Sequence, residues 1–340
     1  MAYTTIKKST DYFNTNLYTG NGSTNAITGV DFQPDLTWIK IRNAAGESHS
    51  WWDAVRTATK YISSNNTNAE ATDATGLTAF DSDGFTLGST GRVNQNTNTF
   101  ASWNWKANGA GSSNTDGSIS STVSANTTSK FSIVKWVGTG SNATIGHGLG
   151  VKPAMIITKP TSDTGSWYTY HKSLDATDFI KLNDTDATAD NATVWNDTEP
   201  TTSVFTTGTA FDSGRTFIAY CFADVAGFSK FGSYIGNNGG DNGVFVYTGF
   251  KPHLVIQKLS SHAGANWYMR DTTRSTFNPM DKTIRANTTG DFDYAEKIDF
   301  YSNGFKTRAN GLNQQDSGYV YIYMAFAAEP LIGDNPATAR

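Results

Sequence analysis

The sequence predicts an all-β protein built from three tandem antiparallel β-sandwiches, each about 100 residues long, in pseudo-threefold repetition. Three observations predict it. A stretch with one large apolar residue, a proline two places on, an apolar-rich run and a closing lysine occurs as Phe32–Lys40, Val151–Lys159 and Phe250–Lys258. Aromatic residues make up 13% and charged residues 16% of the 340 positions, and Asn, Thr, Ser and Gly fill much of the rest. That mix suits pleated sheets joined by polar turns. Finally, no segment sustains helical periodicity, and only Trp51–Arg56 carries a helical turn or two.

In chain order, residues 1–11 form a polar arm. The first sandwich spans 12–107, the second 130–224 and the third 228–327, with a linker at 108–129 and a tail at 328–340. Each sandwich opens with an aromatic-bearing strand that runs into a Gly/Asn turn, as in Tyr12–Gly22, Phe131–Gly140 and Phe228–Asn237. The proline strand follows, since proline is tolerated at a strand's first position. Trp51-Trp52, Trp167 and Trp267 come next. Asp83-Gly84 and Asn303-Gly304, between aromatic strand residues, predict tight hairpins. The middle unit has only the simpler turn after Val204–Thr207. Aromatic strands around Phe100–Trp105, Phe217–Phe222 and Tyr321–Phe326 close the units. Each closing strand is expected antiparallel beside its own opening or proline strand. The linker is polar and glycine-rich, with an added edge strand expected through Ile119 and Val123.

The net charge of −4 comes without a cluster of Lys and Arg, which argues against a nucleic-acid partner. No apolar signal core or membrane-length segment is present, so a soluble chain with no membrane insertion is expected. Asn-x-Ser/Thr triplets such as Asn142-Ala143-Thr144 read as a consequence of composition. The single cysteine, Cys221, sits in an apolar strand and reads as buried and inert. The five histidines form no metal-ligand spacing, and His147 in Gly146-His147-Gly148 reads as an exposed turn residue. Asp81-Ser82-Asp83-Gly84 starts like a calcium loop but lacks the later oxygen ligands. No nucleophile motif appears and no carboxylate pair stands out. The expectation is therefore no catalytic residue, no metal, no cofactor and no enzyme activity.

Trp51, Trp52, Trp167 and Trp267 are the remaining candidates. Either they fill the sandwich cores, or some are exposed as platforms for sugar rings. Neighbouring residues of a strand face opposite sides, so the Trp51-Trp52 pair predicts partial exposure of one.

The proline strand and hairpin, the run Ser229–Tyr234 and the ending Asp334–Arg340 together resemble a repeat family of marine tailed phages, including phages of cyanobacteria. The resemblance covers nearly the whole chain. It implies concanavalin-A-like jelly-roll units and a virion structural or tail-fibre-like role, and it supplies no catalytic residues. The expected localisation is the virion, assembled in the host cytoplasm. Expected partners are other virion proteins of capsid or tail, with host cell-surface glycan as the receptor. Host attachment is the favoured role. Capsid decoration is the alternative, suggested by the absence of a coiled coil and by the short arm as an anchor. A polysaccharide-acting enzyme is the lesser one.

Overall fold

In each third of the chain a large antiparallel sheet places the closing strand between the opening strand and the proline strand. The computed structural model describes residues 4–290, 297–309 and 314–329. In the first third the order is Phe13–Thr19, Thr99–Trp105, Leu36–Ile41, Ser50–Asp53. The second third has Phe131–Val137, Thr216–Phe222, Met155–Pro160 and Tyr168–His171 in the same order. The third has Ser229–Ile235, Val320–Glu329, Lys251–Leu259 and Tyr268–Asp271. A smaller sheet covers the outer face of each. It is Asn25–Thr28, Gly84–Leu87 and Leu77–Asp81 in the first, and Ala143–Gly146 with Val204–Thr207 in the second. In the third it is Phe245–Tyr247, Gly304–Thr307 and Ile298–Tyr301.

Both expected hairpins form, with Phe80 opposite Phe85 and Phe300 opposite Phe305. The Asp83 carboxylate accepts the N–H groups of Gly29 and Asp31, which ties the hairpin turn to the loop after the first smaller-sheet strand. Where the middle third lacks a hairpin strand, the short helix Ala192–Trp195 drops Val194 and Trp195 into the core.

Both faces of every large sheet are buried. One face packs on the smaller sheet, as with Ile39, Trp52 and Phe100 in the first third. The other faces a core common to all three thirds, which contains Trp38, Trp103, Tyr220, Phe222, Met324 and Phe326. Burial on both faces explains the near-continuous apolar runs of the proline strands. It also makes the three sandwiches interdependent, because none closes its inner face alone.

Several expectations change. In the linker, the strand expected through Ile119 and Val123 forms at Val123, as Ser121–Asn126 with Val123 opposite Val134, while Ile119 bridges Ile145 of the smaller sheet and Ser112–Asn114 adds a further strand outside Ser121–Asn126. The linker's start is held by Asp35, whose carboxylate accepts the N–H groups of Ala107 and Gly109. The arm is not simply polar, since Ile6 is buried in the common core. The helical expectation at Trp51–Arg56 fails because Trp51 and Trp52 pair across a ladder with Trp38 and Thr37. His147 is buried, and burial lowers its pKa to about 4. Leu149 N–H donates to its Nδ1. Pro34 and Pro153 precede their strands, while Pro252 lies inside its strand at a register shift, where a missing N–H is tolerated. Cys221 is buried as expected. Tail residues 330–340 lie outside the described residues.

Candidate functional site

The four candidate tryptophans are not surface platforms. Trp51, Trp52, Trp167 and Trp267 are at most 1% exposed. Trp51 and Trp52 do face opposite sides, but one side is the common core and the other is the first sandwich core, so neither meets solvent.

Strand register also changes which residues correspond. Ile39 pairs with Ser50, Thr158 with Tyr168 and Gln257 with Tyr268, so His49, Trp167 and Trp267 occupy the same place. Each has a ring nitrogen at a backbone carbonyl of a neighbouring third. Trp167 Nε1 donates to Ser63 O at 2.9 Å, and Trp267 Nε1 donates to Lys181 O at 2.9 Å. His49 Nε2 lies 3.0 Å from Arg285 O. Its Nδ1 accepts from Trp38 Nε1, and burial holds the ring well below its usual pKa. A neutral ring whose Nδ1 accepts carries its proton on Nε2, so His49 also donates.

The closing lysines make the same cyclic step. Lys159 of the second third donates to Thr67 O of the first, and Lys258 of the third donates to Thr185 O of the second. Lys40 of the first donates to Thr289 O of the third. These threonine carbonyls also accept the N–H groups of Gly165, Gly264 and Gly46, respectively. Two residues before each threonine stands an asparagine. Asn65, Asn183 and Asn287 accept the N–H groups of His49, Trp167 and Trp267 through Oδ1. Three Asn-x-Thr triplets thus carry a structural role: the asparagine fixes its own third and the threonine carbonyl receives the next. Burial lowers the pKa of Lys159 and of Lys258 to about 8. Among the described residues no group of three or more His, Cys, Asp or Glu is arranged to hold a metal.

Among the described residues the exposed aromatic rings lie elsewhere, on the outer face of the third sandwich's smaller sheet. Alternation along Phe245–Tyr247 buries Val246 and turns Phe245 (46% exposed) and Tyr247 (60%) outward. Tyr247 and Tyr301 flank Gly304 across the sheet, and Phe245 lies opposite Lys306. The Phe245 and Tyr301 rings meet at 6.0 Å. Gly304 makes this possible, since a Cβ there would come within 2.9 Å of Phe245 Cζ. Tyr301 OH donates to Asp299 Oδ2, which Arg308 also binds, so the ring is held in place. Asn278 brackets Phe300 with two hydrogen bonds, which brings the adjacent Phe277, 78% exposed, to the margin of the same sheet. The corresponding positions in the first sandwich are Ala26, Thr28 and Asp81, and in the second Thr144 and Gly146. The aromatic face therefore belongs to the third sandwich and is not required by the fold. The sequence signal for this face is the alternation Phe245-Val246-Tyr247, whose outward side is not fixed until the strand is paired.

Fold and site together define an all-β protein of antiparallel sandwiches that carries, among the described residues, one exposed aromatic surface. The chain belongs to DUF7483, a domain of unknown function, whose family model matches residues 8–330. No curated protein and no solved structure matches it.

Proposed function

We propose that this chain is a non-enzymatic protein displayed on the surface of a phage particle, and that it serves host attachment by contacting cell-surface glycan through Phe245, Tyr247, Phe277 and Tyr301. The observation that carries the glycan contact is the aromatic face, found where the other two sandwiches have small or polar residues. Flat rings with polar neighbours suit sugar faces, which present C–H groups between hydroxyls. The phage setting rests on the sequence resemblance. Attachment is tested by labelling purified protein and measuring its binding to host cells and to their extracted surface polysaccharide. Tyr247→Ala and Phe277→Ala should each weaken binding about three- to tenfold with unfolding unchanged. Undiminished binding by the double variant would remove the aromatic face from the account.

A second reading is favoured by the cyclic linkage of the three thirds through Lys40, Lys159 and Lys258. One chain presenting three similar edges suits a threefold position on a shell, which is the geometry of a capsid decoration protein. Co-sedimentation with emptied capsids, in the absence of cell binding, would favour that role.

A further inference from the structure

We propose that the seam between the first and second thirds is a binding site for a small oxyanion, a carboxylate or phosphate group carried on a soluble molecule. A cavity of about 180 Å³ opens there, lined by Arg56, Lys60 and Glu70 from the first third and by Lys135, Ser162 and Thr216 from the second. A larger cleft of about 310 Å³ along Ile119–Thr122 shares Lys135 and Thr216 with it, so the two are contiguous. The larger cleft reaches the lower end of the volumes that hold small molecules, and the smaller one suits a single anionic group.

Three cations line the cavity against one carboxylate. Arg56 is fixed from behind by Asp53, by Trp51 O and by Tyr220 OH. Glu70 takes both Arg56 and Lys60. That leaves Lys135, which makes no ion pair among the described residues and projects from a strand into the shared edge of both cavities. Ser162 Oγ accepts Thr216 N–H, so its hydroxyl proton remains available to a ligand. An ammonium and a hydroxyl donor, backed by a buried guanidinium, make the donor set an oxyanion needs.

The neighbouring seam supplies an internal control. Thr188 N–H donates to Ser260 O as Glu70 N–H does to Thr161 O, so the second and third thirds meet in the same way. There Leu174 stands for Arg56, Asp178 for Lys60, Thr188 for Glu70 and Ser233 for Lys135. That seam closes without a single cation at these positions. The buried arginine is not particular to this seam, since Arg274 repeats it in the third sandwich, donating to Asp271 and to Met269 O as Arg56 does to Asp53 and Trp51 O. What the first seam adds is Lys135, where the other two thirds have Ser233 and Leu17.

The inference is independent of the aromatic face. Its test is calorimetric titration of the full chain at fixed ionic strength with inorganic phosphate, with glucuronate, and with glucose as the uncharged control. Saturable binding of phosphate or glucuronate at one site per chain is expected, with none for glucose, and the better ligand identifies the oxyanion. Lys135→Met and Ser162→Ala should each weaken it about ten- to a hundredfold. Lys135 is exposed, so its variant should unfold like the wild type. Absence of saturable binding at roughly 10 mM, or unchanged affinity in Lys135→Met, would overturn the proposal.

Discussion

Replacing Lys159 by methionine should change how stability depends on pH. Lys159 is 0% exposed and, among the described residues, its ammonium hydrogen-bonds the carbonyls of Thr67 and Pro160, at 3.2 and 2.9 Å. Burial takes its pKa from 10.5 down to about 8. Between those values the unfolded chain holds the proton and the folded chain does not, so stability rises with pH across this window. The side chain is fully buried, so solvent screening is weak. The linkage relation gives a gain of about 2 kcal/mol from pH 7 to pH 9.5 for this one group. The pH 9.5 limit keeps clear of the buried tyrosines, whose raised pKa values favour the folded state less as pH climbs further.

Methionine has similar length and no charge, so Lys159→Met removes the titration with little change in packing. Thr67 O keeps its hydrogen bond from Gly165, which limits the loss. Urea unfolding, followed by tryptophan fluorescence at pH 7 and pH 9.5, measures both proteins. The stability of the wild type relative to the variant should rise by about 2 kcal/mol between the two pH values. A difference that stays constant would mean that the two carbonyls solvate the ammonium as well as water does, and the reasoning about a desolvated lysine would fail.

Other outcomes follow from the same geometry. Trp167→Phe leaves Ser63 O without its buried donor and should cost about 1–3 kcal/mol, read by thermal or urea unfolding. Asn183→Ala strips the partner from Trp167 N–H and should cost a similar amount, while Asn142→Ala, in an exposed triplet, should change stability by less than about 0.5 kcal/mol. Gly304→Val should abolish glycan contact, because a Cβ there would sit 2.1 Å from Val246 O and displace the strand bearing Phe245 and Tyr247. Binding to host polysaccharide and a fold-sensitive spectrum measure the two effects separately. Burial pushes the Cys221 thiol well above its ordinary pKa, so thiol reagents should label it only after denaturation.

Much of the architecture was legible because it rests on local rules. Turn pairs at Asp83-Gly84 and Asn303-Gly304 fix hairpins through backbone conformation, and apolar runs ending in lysine mark strands buried on both faces. The candidate site was not legible. The tryptophans are the largest rings, and a large ring is more often placed where it removes most surface from water. Phe245 and Tyr247 are exposed because a strand alternates around Val246, and knowing which side faces out requires the sheet to be placed first.

Residue by residue, the chain carried its strand content, its tight turns and the lysine-terminated run written three times, because these depend on side-chain chemistry within a few positions. Only the folded molecule decided that His49, not Trp51 or Trp52, matches Trp167 and Trp267, and that three Asn-x-Thr triplets join one third to the next. Those pairings span 73 residues or more and are fixed by strand register and by a core that no third closes alone. Register is a property of two strands at once, and it does not exist until they meet.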